Sequence, residues 1–103
     1  MAEWKRICGL DEIPRLGSRV VETQRGDVAV FRTLTDEVFA LDDRCPHRGG
    51  PLSQGLVFDR SVSCPLHGWT VALDTGEAAA PDHGCTTRHR VRVDRGDVYL
   101  HVG

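Results

Sequence analysis

The sequence predicts an all-β fold, and three observations predict it. Short segments rich in Val, Ile, Phe and Tyr recur along all 103 residues. Each is bounded by Gly, Asp or similar turn-forming residues, and no long stretch holds a helical period. The length suits one domain, residues 1–103, with a core of its own and room for a single site.

Trp4–Cys8 reads as a first strand, and Leu10-Asp11-Glu12-Ile13-Pro14 offers at most one helical turn, because Pro14 restricts the residue before it. Ser18–Thr23 is the next strand. Arg25-Gly26-Asp27 turns into Val28–Arg32, and Leu34-Thr35-Asp36 turns that strand into Glu37–Leu41, which together read as a meander. Leu56–Phe58 and Ser61–Ser63 form a hairpin about Asp59-Arg60. Trp69–Leu73 is a further strand ended by Asp74-Thr75-Gly76, and Thr87–Asp94 pairs with Asp97–Val102 around Arg95-Gly96. The alternation of Arg88, Arg90 and Arg92 implies a solvated face, with Val91 and Val93 turned inward. Trp4 and Trp69 read as packing aromatics, and Cys8 as a small buried hydrophobe.

A net charge of −2 and a pI near 6.2 argue against nucleic acid, which needs clustered cations. A protein partner fits better. No apolar run is long enough for a membrane span, and Met1–Arg6 lacks the apolar stretch of a secretory signal, so a cytoplasmic location is expected. Four cysteines could form two disulfides, Cys8 with Cys85 among the possible pairs. Two of them sit in metal-ligand spacing instead, which favours a reducing compartment.

Cys45-Pro46-His47 and Cys64-Pro65-Leu66-His67 carry the chemistry, with sixteen residues between them. The intervals C-x-H and C-x2-H are poor for zinc modules, which favour C-x2-4-C with H-x3-5-H. They suit a Rieske [2Fe–2S] centre, in which two cysteines hold one iron and two histidines the other, so each loop gives one ligand of each kind. Thiolates stabilise ferric iron while neutral imidazole adds no charge, so the mixed set raises the reduction potential above that of four thiolates. Cys45, His47, Cys64 and His67 are therefore the expected ligands of both metal and cofactor. Pro46 and Pro65 stiffen the loops. Gly49, Gly50 and Gly68 permit unusual backbone angles and close approach. The hairpin at residues 56–63 brings the two boxes to one end. His83, His89 and His101 lack this context and read as surface imidazoles.

The strings C-P-H-R-G-G-P-L-S-Q-G and C-P-L-H-G-W, followed by L-D-T-G-E, resemble the two boxes of Rieske-type ferredoxins. That resemblance implies an antiparallel β-sandwich with a small cluster-binding subdomain of two loops, about residues 43–81. Trp4–Pro14, Ala40-Leu41-Asp42-Asp43-Arg44 and Pro81-Asp82-His83-Gly84-Cys85 are similar to the small subunit of NAD(P)H-dependent assimilatory nitrite reductase. The likeness implies an electron-transfer subunit, not catalytic alone, beside a large subunit with FAD and sirohaem. A ferredoxin that serves a ring-hydroxylating dioxygenase is the alternative, and a non-redox binding module the third. The histidine edge would face the partner, and Arg48 beside it would either meet an acidic partner or serve solubility. The quinol-oxidising branch of the family has a cysteine pair where this chain has Gly50 and Leu66. It also has hydroxyl donors where this chain has Trp69 and Val71. The resemblance therefore implies a low-potential carrier, toward about −150 mV.

Overall fold

The computed structural model describes residues 3–46, 49–66 and 68–102. Three antiparallel sheets account for the fold. The first, in the order β1-β10-β9, is built from Glu3–Gly9, Asp97–Val102 and Val91–Asp94. The second, in the order β2-β3-β4-β8, comprises Gly17–Thr23, Gly26–Arg32, Val38–Asp42 and the short Arg88–His89. The third, β5-β6-β7, comprises Leu56–Phe58, Ser61–Ser63 and Thr70–Ala72. Two 3-10 turns, Leu10–Glu12 and Leu52–Gln54, complete it. The all-β, antiparallel expectation is met. No helix among the described residues is long and apolar enough to cross a membrane.

Strand β3 is buried from Val28 to Arg32 on both faces. Successive side chains of a strand point to opposite sides, so its residues split between two cores. Ala29 and Phe31, with Leu41 of β4, face the third sheet and pack with Leu52, Val57, Val62, Val71 and Leu73. Val28 and Val30, with Ala40, face the first sheet and pack with Cys8, Ile13, Val98 and Leu100. The middle sheet is thus shared by two apolar layers. The unbroken Val-Ala-Val-Phe run is what such a strand requires, since neither face meets water.

Charged groups close the edges of these layers. Arg32 ends β3 with only 8% of its surface exposed. Its Nη1 donates to the carbonyls of Leu10 (3.2 Å) and Ile13 (2.9 Å), which ties the first 3-10 turn to the middle sheet. Its Nε donates to Asp36 Oδ1 at 2.9 Å, and Arg15 Nε donates to the same oxygen at 2.9 Å. On the other side, Arg60 of the β5–β6 turn stacks on Phe39 at 5.4 Å and pairs with Glu37 at 3.3 Å, which pins the third sheet to β4.

Three expectations need correction. The first strand pairs with β10 (Trp4 opposite His101) and not with the meander, which is confined to β2-β3-β4. The expected strand over residues 87–94 is two strands. Arg88 and His89 pair with Leu41 and Ala40 of β4, whereas β9 pairs with β10, and the chain crosses between sheets at Arg90 because one strand cannot complete both ladders. Trp4 is 39% exposed and Val93 40%. Val98 and Leu100 fill the inner face of β10, so Trp4, opposite His101, falls on the outer face. There it meets the His101 ring edge-on at 5.1 Å and lies under Arg92 at 4.8 Å. Cys8 is buried as expected, and its thiol is pushed up by that burial. Cys85 is exposed, and neither Cys8 nor Cys85 is in a disulfide.

The two arginines on Asp36, Arg15 foremost, hold its carboxyl down at about 2. A depressed carboxyl stabilises the fold above the unfolded value of about 4 and loses that contribution as pH falls through the folded value. Asp36→Asn should therefore unfold at lower urea than wild type at pH 6, and the gap should close below about pH 2. Urea melts at both pH values check it, and a gap that is independent of pH would contradict the charge pairing.

Candidate metal centre

Both boxes are loops closed at the neck by the same pair of backbone hydrogen bonds. In the first, Cys45 N–H donates to Gly50 O (2.7 Å) and Gly49 N–H donates to Cys45 O (2.9 Å). In the second, Cys64 N–H donates to Trp69 O (2.7 Å) and Gly68 N–H donates to Cys64 O (2.9 Å). Each loop therefore runs from a cysteine to a residue five positions on, with glycine at the fourth. Gly49 and Gly68 both have φ of 70°, the left-handed region that a side chain resists. The sequence expectation of unusual backbone angles holds for these two. Gly50 serves by close approach: a methyl group placed there would lie 2.7 Å from Leu66 Cδ1 and 3.5 Å from Cys64 Sγ. The two loops touch at this point.

The hairpin β5–β6 makes that contact. Leu56 pairs with Ser63 and Phe58 with Ser61, so the segment that leaves the first loop lies beside the one that enters the second. At its base a methyl group on Gly55 would run into the carbonyl oxygen of Ser63, the residue before Cys64. Asp43 secures the other flank. It accepts from Ser53 N–H (2.7 Å) and Ser53 Oγ (2.8 Å) through its two oxygens, while its own N–H donates to Asp27 O (3.0 Å). Sequence reasoning gave Asp43 and Gly55 no role. The Ser53-Gln54-Gly55 string of the short turn offers only a weak signal for either.

Cys45 and Cys64 are each 3% exposed and belong to the same apolar layer, between the middle and third sheets, with Trp69 packed against them. The structure brings these two expected residues together at the ends of matched loops. His47, His67 and Arg48 lie outside the described residues. Among the described residues no three donors converge, so the described part of the donor set is the thiol pair. Its chemistry fits iron bound by sulfur in a low-dielectric pocket. Val71, one of the positions where a hydroxyl donor was not expected, is fully buried in the same layer. His89, read as a surface imidazole, is only partly exposed, with Nε2 2.6 Å from Asp42 Oδ1, and it joins β8 to the strand that leads into the first loop.

The profile of the Rieske-like [2Fe-2S] domain matches residues 3–101. The chain belongs to that family. Its cofactor is a [2Fe–2S] cluster, and this Rieske domain is an electron-transfer module. It is 37% identical, over 93% of its length and 91% of the relative's, to the 3-phenylpropionate/cinnamic acid dioxygenase ferredoxin subunit of Photorhabdus laumondii subsp. laumondii. It is 34% identical, over 100% and 95%, to the anthranilate 1,2-dioxygenase ferredoxin subunit of Burkholderia cepacia. A solved structure from Mycobacterium tuberculosis, assigned to the small subunit of an NADH-dependent nitrite reductase, superposes with a TM-score of 0.87 at 25% identity, covering 100% of this chain and 97% of that one.

Two tight glycines beside the cysteine loops, Gly50 and Gly55, should differ in tolerance. At Gly55 a methyl group meets backbone, whereas at Gly50 it meets a half-exposed leucine side chain that can rotate away. Gly55→Ala is expected to lose stability by about 1–3 kcal/mol or more, and Gly50→Ala by less than about 1 kcal/mol. Thermal melts of the two variants decide it, and equal losses would show that the loops are not held as described.

Proposed function

We propose that this chain is the ferredoxin component of a ring-hydroxylating dioxygenase, carrying single electrons to the oxygenase through a cluster held by Cys45, His47, Cys64 and His67. The observation that carries this reading is the near full-length similarity to two dioxygenase ferredoxin subunits at 37% and 34% identity. The nitrite reductase reading, in which the same domain serves a large sirohaem and FAD subunit in nitrite assimilation, is favoured by a different observation: the superposition over the whole chain on the Mycobacterium tuberculosis structure. Both readings make the chain one cytoplasmic unit with its cluster region at about residues 43–81. Neither makes it catalytic alone.

When bound, the cluster accepts and releases one electron. The chain's part is to hold it stiffly and to shield it. Closed loop necks limit rearrangement between redox states, and Pro46 and Pro65 remove backbone freedom beside each cysteine. Cys45 and Cys64, buried in the apolar layer, would hold one iron on the inner side. His47 and His67 would hold the other and serve as the electron port to the partner.

Two measurements test this. The dithionite-reduced chain should be reoxidised under anaerobic conditions by the terminal oxygenase of a ring-hydroxylating system. A sirohaem nitrite reductase large subunit should oxidise it at least tenfold more slowly. The reverse ranking would transfer the assignment to the nitrite reductase. For the ligands, His67→Cys adds a thiolate and should lower the midpoint potential. A midpoint unchanged in redox titration would remove His67 from the set.

A further inference from the structure

Arg44 immediately precedes Cys45, and its guanidinium lies against the first loop. A methyl group on Gly49 would sit 3.8 Å from Arg44 Nε and 3.9 Å from Nη2, and Gly49 N–H is the donor that closes the loop on Cys45 O. Arg44 also borders, with Asp42, Cys45, Pro46, Gly49 and Cys85, an open cleft of about 410 Å³ beside the loop. Among the described residues no carboxylate pairs with it. The two nearest acids in sequence are engaged elsewhere: Asp42 with His89 and Asp43 with Ser53. Arg6, Arg15, Arg19, Arg32 and Arg60 are each within ion-pair distance of an acid, whereas among the described residues Arg44 shares its unpaired state with Arg25, Arg88, Arg90, Arg92 and Arg95, none of which lines that cleft.

We propose that Arg44 is a potential-determining residue, an uncompensated cation laid on the first cysteine loop that favours the reduced centre. The inference rests on the assignment of the cluster to these loops. Reduction adds one negative charge to the centre, and a nearby fixed cation lowers the energy of that state in inverse proportion to distance and local dielectric. The arginine is exposed, so mobile ions weaken the effect. The role is electrostatic and gives Arg44 no part in assembly.

The test is a charge series on the holoprotein, Arg44→Lys, Arg44→Gln and Arg44→Glu, with iron and sulfide content, EPR of the reduced sample and midpoint potential measured for each. Iron content should equal that of wild type in all three. The midpoint should stay near wild type in Arg44→Lys, shift down in Arg44→Gln and shift further down in Arg44→Glu. The gap between wild type and Arg44→Gln should narrow as salt is raised. Midpoints that ignore charge, a Lys variant that moves with the Gln variant, or loss of iron in Arg44→Gln would each overturn the proposal in favour of a packing role. A wild-type protein without iron or a reduced-state EPR signal would instead overturn the cluster assignment beneath it.

Discussion

Burial of strand β3 on both faces is the constraint on which the rest of the structure depends. A strand with one wet face needs one apolar layer, whereas Val28–Arg32 needs two, and the chain supplies them from opposite ends of its sequence. The terminal strands β1 and β10 cover one side. The loops and hairpins of residues 45–73 cover the other. Because Cys45 and Cys64 belong to that second layer, the candidate centre is part of the protein's packing and not an appendage to it. Loosening Phe31 or Leu52 would disturb the thiols as well as the fold.

The loops themselves are held by backbone. Each neck uses a cysteine N–H and a cysteine carbonyl, so its geometry depends on the glycine at the fourth position and on very little else in the loop. What fixes the two loops relative to each other is steric. Gly55 against Ser63 and Gly50 against Leu66 set their separation, and Asp43 on Ser53 braces the outer flank. Paired arginines and carboxylates are kept for the edges of the layers, where Arg32 and Asp36 seal the first 3-10 turn.

A centre so placed suits single-electron transfer. The two cysteines are buried, so little solvent has to move on that side when charge arrives. Tuning then falls to fixed charges and hydrogen-bond donors around the loops. With Val71 buried and apolar in the same layer, charges beside the first loop, Arg44 and Asp42 among them, are what the described residues offer for such tuning.

The amino-acid sequence by itself determined most of the strands and the β5–β6 hairpin, and it named the expected donors, because these follow from local patterns: alternation, turn residues and ligand spacing. Leu56–Phe58 and Ser61–Ser63 could be read to the residue since the Asp59-Arg60 turn sets their register locally. Tertiary structure alone decided which strands pair at long range. Nothing in residues 3–9 states that their partner lies at 97–102, and nothing in residues 88–94 states that the chain changes sheets at Arg90. Trp4 shows the physical reason. An aromatic residue on a strand is compatible with either face, and only the register with β10, whose inner face Val98 and Leu100 already fill, turned it to the solvent.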